Sequence, residues 1–215
     1  DFDDGVVDES DLPNSVRVSP GVALVDGPWG QAARLPGGSD TIAFRRSGEL
    51  IGNDGYTVML DFSKDAATVG GRLVYFAHSF VLTASGSTGL RAEITTDAGA
   101  TSISASNARL ASTDWRHVAL TFSGDDGVAA LYLDGQEIGR REGLGGLQPG
   151  SVSQDFHLGG PFGGGFVGLV DNLVFLRGAL SAEAVREHYL AARPDDPDDF
   201  VFAAPATAPA PADLW

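Results

Sequence analysis

The sequence contains no cysteine, so neither disulfides nor thiolate metal sites are open to it. Stability must come from a packed core. Lys64 is the only lysine and Met59 the only methionine. No stretch reaches the ~18 consecutive apolar residues of a membrane span, so membrane insertion is not expected. Basic residues are missing from both ends: residues 1–11 carry six acids and residues 194–215 five, with no Lys or Arg in either. The net charge of −15 is therefore concentrated at the termini, and 18 acids face 14 bases in between. Such a surface repels phosphate backbones and anionic headgroups, so neither nucleic acid nor a lipid surface is an expected partner. Nucleophile-elbow, P-loop, dinucleotide and H-E-x-x-H motifs are absent as well, and the four histidines show no zinc spacing. The first residue is Asp, with no charged-then-apolar leader, so a processed or excised piece of a longer chain is expected.

What the chain does have is glycine, 29 copies in 215 residues, together with 43% apolar residues. That much glycine suits many turns, and that much apolar side chain fills one large sandwich core. The clearest β signal lies at residues 115–140. Successive strand side chains point to opposite faces. Trp115, His117, Ala119 and Thr121 thus share one face, and Arg116, Val118, Leu120 and Phe122 the other. Residues 123–127 supply a hairpin loop, residues 128–134 the returning strand, and Asp134-Gly135 a tight turn into residues 136–140. Three consecutive antiparallel strands are predicted.

Further strands are predicted at residues 41–45, 56–62, 72–84, 90–96 and 101–106, separated by Gly, Ser, Asn and Asp clusters. Tyr56, Val58, Leu60 and Phe62 form one apolar stripe, with Thr57, Met59 and Asp61 opposite. The run 73–82 is apolar on both faces apart from His78 and Ser79, and reads as a central strand buried on both sides. Residues 156–159 and 166–175 finish the sheets. One helix is predicted at residues 181–193, with Ser181 as its cap, Leu180 and Val185 spaced for a hydrophobic staple, and Pro194 as its stop. Residues 194–215 shift to Pro, Ala and Asp and read as a linker or tail in which Phe200, Phe202 and Trp215 could dock. The expected division is a domain at 1–193 and an acidic tail at 194–215.

The run W-R-H-V-A-L-T-F with L-Y-L-D-G-Q-E-I resembles the W-H-H-V-A-V-T-Y…L-Y-V-D-G-K signature of laminin G-like domains in the concanavalin A-like jelly-roll superfamily. Phe2, Asp3 and Gly5 resemble the family's F-D-x-x-G start, and Asp8, Ser10 and Asn14 its D-x-S-G-x-x-N-like loop, although Asp11 replaces a glycine. Residues 25–37 resemble its V-x-G-x-x-G-x-A-L-x-F-x-G segment. Residues 156–175 resemble its closing L-x-L-G…F-x-G-x-I-D-D-V-x-I-Y run, with Asn172 where an acid often stands. The resemblance spans residues 2–192. It implies an all-β fold, a two-sheet antiparallel jelly-roll sandwich with one short C-terminal helix. It also implies bound calcium and a glycan or protein partner outside a bacterial cell, within a larger secreted or adhesin-like chain. Related glucanases carry two glutamates on one strand, about 5–5.5 Å apart. The glutamates here are scattered, so no catalytic residue is assigned.

Calcium takes about six to eight hard oxygens. Asp171 is an acid set inside an apolar strand, and the first and last strands of a jelly roll are often neighbours. Acids from the two ends would repel one another without a cation. The expected metal ligands are Asp171, Asp3, Asp8 and Asn14; the alternative is a solvated acidic face, with Asp171 hydrogen-bonded to a loop. For sugar binding the candidates are Trp29, Arg72, Tyr75, His78, Asp155, His157 and Phe162, aromatics and polar groups of the kind such sites use. Each has a structural counterpart reading, as a core or loop anchor. His117, alternating with Trp115 and Ala119, reads as structural. The leading expectation is a non-catalytic, calcium-dependent recognition module for extracellular carbohydrate or a protein partner. The alternatives are a polysaccharide-cleaving enzyme using Asp155 and His157 beside Tyr75, and a structural module assembled through its tail.

Overall fold

The computed structural model describes residues 16–45, 55–66, 70–86, 89–106, 108, 110, 112–147 and 154–192. They form fourteen strands and one helix: β1 (Val16–Val18), β2 (Ala23–Gly27), β3 (Gly30–Gly38), β4 (Thr41–Phe44), β5 (Gly55–Lys64), β6 (Gly71–Phe76), β7 (Phe80–Ser85), β8 (Gly89–Thr96), β9 (Gly99–Ala105), β10 (Arg116–Ser123), β11 (Val128–Leu133), β12 (Gln136–Arg141), β13 (Phe156–Gly159), β14 (Gly165–Arg177) and α1 (Ala182–Ala191). Antiparallel pairing builds two seven-stranded layers. The first runs β1-β4-β13-β6-β7-β8-β9. The second runs β2-β3-β14-β5-β10-β11-β12. A single parallel bridge, Gly165 to Arg72, links them.

The layers face each other because each strand alternates. Ile42, Phe76, Phe80, Leu82, Ile94, Phe156 and Leu158 from the first layer meet Tyr56, Val58, Leu60, Phe62, Leu120, Phe122 and Val170 from the second in one buried cluster. Tyr56 stacks on Phe80 across the gap at 4.6 Å, and Phe156 meets Phe175 edge-on at 5.5 Å. Each large apolar side chain so buried contributes about 1.5–3 kcal/mol. This is the all-β, two-sheet antiparallel jelly-roll sandwich with one short C-terminal helix that the sequence implies.

The hairpin at its centre folds as its residues dictate. Val118 pairs with Leu133 and Phe122 with Ala129, and Asp134 and Gly135 take φ of 50° and 71°, the positive pair of a tight hairpin turn. The Asp134 carboxylate accepts from the His117 amide at 2.9 Å and from Arg116 Nε at 2.6 Å, tying the turn to the preceding strand.

The run 73–82 is not one central strand. It is the β6–β7 hairpin, turned at Ala77, His78 and Ser79, with His78 at φ 61° and the Ser79 amide donating to Phe76 O. The two polar residues that interrupt the apolar run mark the turn, and Phe76 and Phe80 then sit opposite each other. The strand buried along all ten residues is β5, because the core covers one side and α1 packs on the other.

β14 carries a bulge. Asp171 pairs with Asp61 and Val174 with Met59, so that Asn172 and Leu173 stand against Leu60 alone, and Asn172 sits at φ 49°. The extra residue reverses the alternation, so Phe175 reaches the core although Asp171, four positions earlier, faces outward. The chain then enters α1. The Ser181 hydroxyl accepts from the Ala184 amide at 3.2 Å, and Leu180 and Val185 pack on Met59, Ala119, Ala130 and Tyr132. Arg193, the strand and acidic loop expected at residues 1–15, and the tail 194–215 with Phe200, Phe202 and Trp215 lie outside the described residues.

Candidate functional site

α1 packs on the outer face of the second layer, whereas among the described residues no helix packs on that of the first. Pairing register lines up one outward row across the first layer: Arg17, Ala43, His157, Tyr75, Val81, Glu93, Ser102. Register partners share a face, with Cβ atoms about 4.5–5.5 Å apart. His157 and Tyr75 are direct partners, with ring centroids 6.1 Å apart. Phe162, from the loop between β13 and β14, meets Tyr75 edge-on at 5.8 Å and 84°. Yet Phe162 is 79% exposed. The ring is therefore held at the surface, open to solvent, rather than packed in the core.

The loop holding Phe162 turns through Gly163 and Gly164, at φ 84° and 67°, conformations in which side chains are strained. Arg72 fastens it: its amide donates to Gly164 O and its Nη1 to Gly163 O, both at 2.9 Å. The same guanidinium lies 6.0 Å from the centre of the Tyr75 ring. Burial holds the His157 pKa below its ordinary value, which Asp155 offsets in part, so the imidazole at this face is neutral at pH 7. Asp155 lies 3.8 Å from Arg45.

The structure therefore brings Arg72, Tyr75, His157 and Phe162 together, with Asp155 at the edge of the group. It separates the other two sugar candidates from them. His78 is the exposed corner of the β6–β7 turn. Trp29 lies at the β2–β3 turn on the second layer, 5.5 Å from Trp115. Arg17 and Val81 were not singled out from sequence; only strand register puts them in the row.

A second polar group lies on the outer face of the second layer. Asp171, Asp61 and His117 are consecutive register partners across β14, β5 and β10, and all three are buried. Asn172 donates from its amide to Asp171 Oδ1 at 2.7 Å and from Nδ2 to Asp61 Oδ2 at 2.9 Å. His188 of α1 lies over His117 with centroids 6.2 Å apart, and a pocket of about 220 Å³ opens between Asp61, His117, Asn172, His188 and Ala192. His117 is packed beneath the helix, against His188 and Tyr189. For calcium, Asp171 has gained one carboxylate neighbour that sequence did not identify, Asp61. Among the described residues no three acid or histidine side chains gather to hold a metal. Two carboxylates fall short of the about six oxygens the ion requires. Asp3, Asp8 and Asn14 lie outside the described residues.

By sequence, residues 36–186 fit the laminin G model of the concanavalin A-like lectin/glucanases superfamily. The chain belongs to that superfamily. No curated protein matches it by sequence. Solved structures share the fold of this concanavalin A-like domain at low identity. The binding domain of Paraclostridial Mosquitocidal Protein 1 is 17% identical, with a TM-score of 0.65 over 87% of this chain and 50% of that one. Domain 4 of an extracellular arabinanase from Geobacillus stearothermophilus, in complex with arabinotriose, is 20% identical, with a TM-score of 0.64 over 81% and 87%. The botulinum neurotoxin serotype D ligand binding domain, in complex with N-acetylneuraminic acid, is 14% identical, with a TM-score of 0.65 over 86% and 48%. The chain thus spans about half the length of the toxin binding domains it matches.

Proposed function

We propose that this concanavalin A-like domain is a non-catalytic carbohydrate-binding module, and that its sugar platform is the outer face around Tyr75, His157 and Phe162. The observation that carries the reading is Phe162, 79% exposed and held against Tyr75 by the Arg72-anchored loop. An open aromatic face stacks on the apolar face of a sugar ring, and neighbouring polar groups orient its hydroxyls. The similar structures named above support it, since one is an arabinanase domain in complex with arabinotriose and others are toxin binding domains. They also support a working site outside the cell, within a longer secreted bacterial protein.

Calcium is a second part of the proposal. Asp61 and Asp171 are buried carboxyl groups on paired positions, and a cation bound there would favour having both of them ionised. Asp171, with Asp3, Asp8 and Asn14 from the N-terminal segment, would hold the ion and stiffen the second layer, away from the sugar face. A glycan array with the 215-residue chain, in millimolar calcium and in chelator, tests both parts. Binding lost in Phe162→Ala and Tyr75→Ala, with melting temperature kept, supports the platform. Binding retained in both variants overturns it. A melting temperature unmoved by chelator, in the wild type and in Asp171→Asn alike, overturns the calcium reading. Release of new reducing ends from a bound polysaccharide would replace the module with an enzyme.

A further inference from the structure

Among the described residues, the outward face of the first layer carries a charge balance opposite to that of the chain. Beside the row through Tyr75 lies Arg45 opposite Asp155, and on the other side Arg72, Thr83, Arg91 and Ser104 follow one another in register. Four arginines, Arg17, Arg45, Arg72 and Arg91, thus share this face with two acids, Asp155 and Glu93. Both acids are matched: Asp155 lies 3.8 Å from Arg45, and Glu93 accepts from Arg91 at 2.8 Å. Among the described residues Arg17 and Arg72 have no carboxylate partner. This leaves a local surplus of two positive charges on a protein whose net charge is −15.

The two unmatched arginines bracket the aromatic group. Arg17 ends the row that runs through His157 and Tyr75, two strands from His157. The Arg72 guanidinium lies 6.0 Å from the centre of the Tyr75 ring, and among the described residues only one of its five N–H donors, on Nη1, is used, to hold Gly163 O. A guanidinium fork with donors to spare beside a sugar-stacking ring is shaped for a planar, two-oxygen anion.

We infer that the preferred ligand of this platform is a carboxylate-bearing saccharide, with the ring stacked on the Tyr75–Phe162 corner and the carboxylate taken by Arg72 or Arg17. This rests on the carbohydrate-binding reading above and narrows it to acidic sugars. The probes are short oligomers of galacturonate, glucuronate and mannuronate, each paired with its methyl ester, which keeps the ring and removes the charge. Titration calorimetry of the whole chain should show at least one acid bound about tenfold more tightly than its ester. That preference should shrink as salt rises and in Arg17→Gln, an exposed edge position. Arg72→Lys should lose part of the preference by replacing the fork with a point charge. Arg72→Gln should lose it fully, with Arg17→Gln as the control should the loop fail to hold. Equal binding of every acid and its ester, abolished by Tyr75→Ala, would overturn the acidic-sugar inference while leaving the sugar platform intact. Binding of none of these probes, with a blank neutral-glycan array, would overturn both.

Discussion

Asn172 controls which way the last part of β14 faces. Its positive φ of 49° makes room for the bulge, and its side-chain amide ties the bulge to Asp61. Asparagine tolerates that backbone region; a β-branched residue does not. Asn172→Val should cost about 1–3 kcal/mol in denaturant unfolding, while Asn172→Gly, which accepts the dihedral, should cost less. Tyr56 is the converse case, a polar group that the core does not need. Its ring stacks on Phe80 and Phe122, but its buried hydroxyl has no hydrogen-bond partner among the described residues. Burial accordingly pushes its pKa well above the ordinary 10. Tyr56→Phe keeps the packing and removes the unsatisfied group, so it should leave stability unchanged or raise it by about 1 kcal/mol in the same assay.

At the level of elements, α1 is a short helix kept in place by its ends and one buried side chain. Ser181 caps it, and Thr57 Oγ1 both accepts from the Leu180 amide and donates to Gly178 O. Val185 is its fully buried residue, seated on Met59, Ala119, Ala130 and Tyr132. Ser181→Ala should cost about 1 kcal/mol. Val185→Ala should cost about 2 kcal/mol by opening a space between helix and sheet. Both variants should bind sugar as the wild type does, because α1 lies on the layer opposite the Tyr75 platform. Loss of binding in a folded Ser181→Ala protein would show that the two faces are coupled.

For the whole molecule, pH links stability to the candidate site. Burial lowers the His157 pKa from the ordinary 6.5. The unfolded chain therefore takes up this proton before the folded one, and folding stability drops as pH falls from 6.5 toward the folded value. The melting temperature should fall between about pH 7 and pH 5, and His157→Gln should fall less over the same range. Parallel curves for the two proteins would remove His157 as a source of acid sensitivity. Binding of a neutral sugar should weaken over that window, as protonation changes the hydrogen-bonding groups offered to hydroxyls, whereas the added imidazolium beside Tyr75 should favour a carboxylate-bearing one.

The sequence alone determined whatever depends on neighbours along the chain. Alternation in residues 115–140 and the Asp134-Gly135 turn specify strand pairs that form locally, and Ser181 with Val185 announces a helix start, so fold class and most elements were legible. Tyr75, His157, Phe162 and Arg72 could be named as candidates one by one, because aromatic and polar residues among turns carry their own signal. Only the tertiary structure brought these four together, since β6 and β13 become partners through pairing between residues some eighty positions apart. It alone split the run 73–82 into a hairpin, because an apolar stretch reads alike whether it passes through a core once or folds back within it. It alone set Asp61 beside Asp171 and Arg17 in line with Tyr75. Register across a sheet is decided by which faces must be buried together, and that is a property of the packed layers rather than of any one segment.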